Sequence, residues 1–142
     1  MEAEDVLVTA FTKILDRIDQ YKGEGSFEGW IRRVVVNEAL IYLRRNRSMY
    51  IETELEAADR EPNYQNLSDH LEAEDLINMI QELPAGYRIV FNLYAIDGYS
   101  HKEISSQLNI SENTSKSQLS RARVYLQRLL INRDIKSKQK ML

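Results

Sequence analysis

The sequence predicts an all-α protein of two small helical domains joined by an acidic flexible linker, the second domain containing a helix-turn-helix. Three observations predict this. Apolar residues recur at helical spacing through most of the chain, and no stretch alternates with the period of a strand. Charge is segregated: residues 1–47 balance eight cations against eight anions, residues 48–78 carry −8, and residues 79–142 carry +5. Between Ser100 and Arg123, a capped helix, a stop and a second cap follow in quick succession. With 142 residues, 43% hydrophobic and 29% charged, the chain has enough apolar surface for two modest cores.

Residues 2–20 open with a helix whose apolar side chains Val6, Ala10, Ile14 and Ile18 form one row, with Leu7, Phe11 and Leu15 beside it. Gly23 and Gly25 break it, so Tyr21 to Phe27 reads as a loop with an aromatic residue at each end and Lys22 inside. A second helix runs from about Glu28 to Arg47, with Trp30, Ile31, Val34 and Val35 expected inside and Arg32, Arg33, Arg44, Arg45 and Arg47 giving it a basic character. Trp30 reads either as core, which its helical spacing favours, or as a platform for a nucleic-acid base. Asn37 interrupts the apolar run VVVNEAL, where helix propensity disfavours it, and is either a satisfied polar core residue or a group aimed at a base.

Residues 48–70 lose periodicity and gain acid at Glu52, Glu54, Glu56, Asp59 and Glu61, which reads as a solvated tether. Helix resumes near Ser68 with Leu71, Asp75, Ile77 and Ile80. Pro84 opens the next helix, where its missing amide costs nothing. Ile89, Val90, Phe91, Leu93 and Tyr94 bury that helix, and Asp97-Gly98 ends it. Ser100 with Glu103 forms a capping box, Ile104 and Leu108 share a face, and Asn109 tolerates the left-handed stop. Ser111 caps a second helix, on which Leu119, Ala122, Leu126 and Leu129 make a stripe that projects back onto Ser115. Asn113, Ser117, Ser120 and Arg121 therefore face outward, flanked by Lys116, Arg123 and Arg128, with no carboxylate from Asn113 to Arg128. That combination points to DNA binding, with the second helix in the major groove. The lysine-rich residues 132–142 are expected to fray.

The composition also excludes functions. No apolar run approaches the roughly 20 residues that cross a bilayer, and Glu2, Glu4 and Asp5 are unlike a signal peptide, so a cytoplasmic protein without membrane insertion is expected. Cysteine is absent, and His70 and His101 stand alone, leaving no metal ligand set. No Gly-rich phosphate loop, Ser/His/Asp grouping or carboxylate pair emerges, so neither catalysis nor a cofactor is expected.

Three segments resemble the extracytoplasmic-function sigma factors of bacterial RNA polymerase, in that family's order: AEDVLVTAFTKIL at 3–15, YKGEGSFEGWIRRVVVNEALIYLRR at 21–45, and LPAGYRIVFNLYAIDGYSHKEISSQLNISENTSKSQLSRARVYLQ at 83–127. The resemblance implies a transcription initiation factor that gives core RNA polymerase its promoter specificity, has promoter DNA as ligand and is restrained by an anti-sigma factor. It divides the chain into a region-2-like domain (1–47), a linker (48–70) and a region-4-like domain (71–142). Glu4, Asp5 and Phe11 would belong to the polymerase-docking helix, Phe11 within its core. Tyr21, Lys22, Glu24, Ser26, Trp30, Arg32, Arg33 and Asn37 would melt and read the minus-ten element. Asn113, Thr114, Lys116, Ser117, Ser120, Arg121 and Arg123 would read the minus-thirty-five element.

Departures from the family pattern are Val8-Thr9 for Gln-Glu, Ile41 for Asp, Asn109 and Asn113 for glycines, and Ser115 for a buried aliphatic residue. The chain starts at the A-E-D motif, as expected of an N-terminally shortened member. Two other readings are a helix-turn-helix regulator of the response-regulator output type and a helical adaptor that does not bind DNA.

Overall fold

The computed structural model describes residues 2–46 and 73–141; the expected tether over 48–70, with Arg47 and Leu71, lies outside the described residues. The described residues are helical, with no strand among them. The chain divides into two units, Met1–Met49 and Tyr50–Leu142.

In the first unit, α1 spans Glu2–Asp16, a single 3₁₀ turn spans Ile18–Gln20 and α2 spans Phe27–Arg45. Glu2, Glu4 and Asp5 lie in the first turn of α1, where carboxylates suit the positive end of the helix dipole. The helix was expected to continue to residue 20 but stops at Asp16. There the Arg17 N–H is shared between the carbonyls of Lys13 and Ile14 at 3.0 and 3.3 Å, which tightens the last turn, and the acids Asp16 and Asp19 stand at the unfavourable negative end.

The buried core of this unit is narrow: Ala10, Ile14 and Leu40, with Glu38 beside them. Trp30, Ile31, Val34 and Val35, expected inside, are all half-buried, because among the described residues of this unit α1 is the one long helix packed on α2. Phe11, also assigned to the core, is 52% exposed. Its row on α1 points away from the seam that holds Ala10 and Ile14. Lys13 donates to Glu38 Oε1 across the two helices and so neutralises the most buried carboxylate of the unit.

Among the described residues the second unit has four α-helices and one π turn. α3 (Ala73–Gln81) leads to α4 (Ala85–Phe91), which runs on into a π turn (Asn92–Ile96), then α5 (His101–Leu108) and the long α6 (Glu112–Lys140). Pro84 caps α4 from just outside it, and the Arg88 N–H bonds to its carbonyl at 2.9 Å. Met79, Ile80 and Leu83 pack with Ala122 and Leu126, and Tyr87, Phe91, Tyr125, Leu129 and Leu130 lie against them. Residues 132–140, expected to fray, are helical. No glycine or proline interrupts Glu112–Lys140, and Arg133 reaches Asp75 and Glu82 at 3.4 and 3.1 Å, tying the far part of α6 to α3 and its C-terminal flank. Both pairs are solvent-exposed and add little energy individually.

Two predictions follow from these contacts. Lys13→Ala leaves the Glu38 carboxylate buried without its cation, and should destabilise the first unit by about 1–3 kcal/mol. The one tryptophan of the chain, Trp30, lies in that unit, so its fluorescence during urea unfolding reports the loss. In the second unit, the Ser100 backbone N–H, with the Ser100 hydroxyl second, holds the Glu103 carboxyl below the usual carboxylate range. A lowered folded-state value means that the stabilisation is present above the unfolded carboxyl's range and is lost as pH falls through the lowered one. Protection of the α5 amides against exchange, relative to an unstructured chain at the same pH, should therefore fall below the usual carboxylate range, and Glu103→Gln should remove that component of the pH dependence.

Candidate nucleic-acid interface

The helix-turn-helix is built from local chemistry. Ser100 Oγ accepts from the Glu103 N–H at 3.1 Å, while Glu103 Oε2 accepts from the Ser100 N–H at 2.7 Å, closing the capping box at the start of α5. Asn109 ends α5 in the left-handed conformation, φ 54° and ψ 48°, and is the one non-glycine residue at positive φ among the described residues. The Ile110 N–H bonds to the Ser105 carbonyl at 3.1 Å, and the Ser105 hydroxyl donates to the Ile110 carbonyl at 2.6 Å, so the turn is fastened in both directions. Ser111 Oγ then accepts from the Thr114 N–H at 3.0 Å and starts α6.

At about 100° per residue, Asn113, Thr114, Ser117, Ser120 and Arg121 all fall within about 60° of Ser117. Lys116 and Arg123 lie on one flank. Ser115, Gln118, Leu119, Ala122 and Leu126 occupy the other side and are buried. Asn113, Lys116, Ser117, Ser120 and Arg123 are exposed, and Thr114 and Arg121 are half-buried. Two of these side chains also serve the helix itself: the Thr114 hydroxyl lies 2.8 Å from the Ser111 hydroxyl, and Ser117 donates to the Thr114 carbonyl at 3.0 Å. Arg123 Cζ sits 6.0 Å from the centre of the Tyr94 ring, which draws it toward the π turn.

In the first unit, Gly23 and Gly25 take φ of 72° and 76°, conformations that L side chains rarely adopt. Tyr21 donates its hydroxyl to the Gly25 carbonyl at 2.7 Å and closes the loop. Ser26 is the cap of α2, accepting from the Gly29 N–H at 3.3 Å, so a structural task falls to a residue assigned to DNA. Trp30 is not core. It is half-buried and stacks with Phe27 at 5.9 Å and 20°, with Tyr21 5.8 Å away; Tyr21 and Phe27 meet edge-on at 5.1 Å. Three aromatic rings therefore form one surface cluster. Phe27, 43% exposed, completes it and was missed as a site residue; its signal was the spacing of three residues from Trp30 directly after the cap.

Asn37 is exposed, which rules out a satisfied core amide. Helical register sets Trp30, Arg33 and Asn37 along one face of α2, whereas Arg32 lies about 160° from Trp30 and is not brought together with them. Lys22 and Glu24 are exposed on the loop.

Family models match this architecture in two places: Sigma-70 region 2 over residues 1–49, and Sigma-70, region 4, over residues 73–126. The ECF RNA polymerase sigma-E factor of Escherichia coli K12 is 30% identical over 135 residues, covering 86% of this chain and 70% of that protein. The chain belongs to the ECF sigma-factor family. The ECF RNA polymerase sigma factor SigE of Mycolicibacterium smegmatis is also 30% identical, over 130 residues, and this chain spans 50% of its length. Among solved structures, the sigma factor RpoE bound to the anti-sigma factor NepR, from Bartonella quintana, matches with a TM-score of 0.49 at 21% identity, covering 89% of this chain and 79% of that one.

In this ECF chain the docking candidates Glu4 and Asp5 are exposed. Glu4 shares a face of α1 with the exposed Leu7, Val8, Phe11 and Leu15. No metal-ligand cluster occurs among the described residues, and no described helix is long and apolar enough to cross a membrane. On the outward face of α6, Arg121→Ala should cost about 1–3 kcal/mol of DNA affinity and relax preference at one or two base pairs. Lys116→Ala should instead weaken all sequences alike, as loss of a phosphate contact does. Selection from random duplexes by each variant separates the two.

Proposed function

We propose that this chain directs bacterial core RNA polymerase to promoters and starts transcription there without catalysing a reaction itself. The observation that carries the reading is the two-faced α6: a polar and cationic face with no carboxylate from Asn113 to Arg128, backed by a buried stripe and presented by a capped helix-turn-helix. Such a face suits a major groove, where small polar side chains approach base edges and cations meet phosphates.

The aromatic cluster of the first unit calls for a different form of DNA. Tyr21, Phe27 and Trp30 offer flat faces beside Lys22 and Arg33, a combination that favours unstacked single strand at about 1–3 kcal/mol per stacked base. This unit would hold the melted minus-ten strand, and α6 the minus-thirty-five duplex. The exposed row of α1 supports docking on the polymerase through Phe11, with Glu4 and Asp5 adding charge. A cytoplasmic location and restraint by an anti-sigma protein are part of the same reading. A response-regulator output domain is disfavoured by the region 2 match over residues 1–49.

The test adds purified chain to bacterial core polymerase with random DNA. Enrichment of a bipartite promoter sequence is expected, and no enrichment over polymerase alone would refute the reading. Phe11→Ala should reduce polymerase binding severalfold while leaving the urea midpoint of the first unit within the small change expected of an exposed side chain. Trp30→Ala should weaken binding of single-stranded minus-ten DNA, measured by anisotropy, more than binding of duplex.

A further inference from the structure

We propose that the hydrogen bond between His101 and Ser115 positions the DNA-reading face of α6, so that His101 sets base preference without touching DNA. The proposal rests on the reading of α6 as the minus-thirty-five helix.

Ser115 is fully buried, 0% exposed, on the side of α6 opposite Ser117. A hydroxyl in that place needs a partner, because a buried polar group without one forfeits its hydration. His101 supplies it: Nδ1 lies 2.9 Å from Ser115 Oγ. Ser115 sits in the first turns of α6, directly before Lys116 and Ser117, so the bond acts where the outward face begins.

The imidazole is itself held by its place in the chain and by a second ring. His101 is the first residue of α5, immediately after the capping box at Ser100. Its ring stacks on Tyr94, with centroids 4.6 Å apart and planes at 21°. Tyr94 belongs to the π turn Asn92–Ile96, which carries one residue more per turn than an α-helix and so shifts the ring's azimuth from that of an uninterrupted α4. The π turn, the start of α5 and the start of α6 thus meet at one ring.

An apolar pair in this place would attract without direction, and α6 could turn slightly about its axis at little cost. A hydrogen bond weakens steeply with angle, and this one fixes rotation as well as separation. Either tautomer of a neutral imidazole can satisfy the hydroxyl, which both donates and accepts, so the positioning needs only the nitrogen in place.

His101→Phe keeps a ring against Tyr94 and removes the nitrogen; adding Ser115→Val removes the stranded hydroxyl as well. The full chain with core polymerase is selected on a randomised duplex library, and amide exchange of the free chain is followed over the first turn of α6. His101→Phe should bind the wild-type sequence severalfold more weakly, because the reading face is less well held, with a broader base preference and faster exchange. In the double variant exchange should return toward wild type while the preference stays broad, which a merely structural role would not produce. Wild-type-like preference in either variant overturns the proposal, as does unchanged exchange in His101→Phe. Failure of the wild-type chain to select any sequence refutes the minus-thirty-five reading itself, and the exchange result on the free chain then stands apart from it.

Discussion

The left-handed turn at Asn109 is the constraint on which the second unit depends. A helix leaving α5 at any other angle would not lay Leu119, Ala122 and Leu126 where the unit has its apolar face. Asn pays a modest steric cost at φ 54°, smaller than most side chains would, since its amide tolerates this region. The cost is offset locally by the bonds between Ser105 and Ile110, one through the backbone and one through the hydroxyl. Direction is therefore settled within a few residues, by bonds that involve no distant partner. The core then selects among the few arrangements that the turn allows.

The first unit is organised on weaker terms. Ala10, Ile14 and Leu40 alone are fully buried apolar residues there among those described, and a carboxylate shares their seam. An ion pair in that position contributes less by attraction than by preventing the penalty of an unpaired Glu38. So small a seam leaves large apolar groups in solvent: Val8 at 65%, Phe11 at 52% and Leu15 at 71% exposure. An exposed apolar row of that kind is the surface that the proposed docking on polymerase would use.

What the sequence made legible was mainly local. Ser100, Glu103, Asn109 and Ser111 act through bonds to residues a few positions away, and their types alone reveal them. The projection of the α6 stripe back onto Ser115 also held, because an uninterrupted helix keeps its phase over several turns. Other features depend on distant partners. Glu38 is paired with a residue 25 positions earlier, and Arg133 with residues 58 and 51 positions earlier, so nothing in the periodicity of α2 or α6 announces them. Trp30 and Phe11 were misjudged for the same reason: helical spacing says that residues share a face, and cannot say whether another element covers it.

The contrast between the two candidate surfaces follows from the DNA each would meet. A duplex hides the flat faces of its bases and offers edges, so a reader needs short polar side chains at fixed angles on a stiff support. α6 has these, on a helix 29 residues long with its inner side packed. A melted strand offers flat faces and an adaptable backbone, so a reader needs aromatic area and a loop that admits close approach. Tyr21, Phe27 and Trp30 pack against one another, Phe27 on Trp30 face to face and Tyr21 edge-on to Phe27, beside two glycines held at positive φ. Their mutual packing orders the exposed rings in advance, which would lower the entropy that binding a base must overcome. A base that enters has to add to the cluster or displace a ring from it, and adding is the less costly route because no existing contact is given up. Rigidity of helix in one unit and rigidity of packed rings in the other would thus serve the same end, by different chemistry suited to the two forms of DNA.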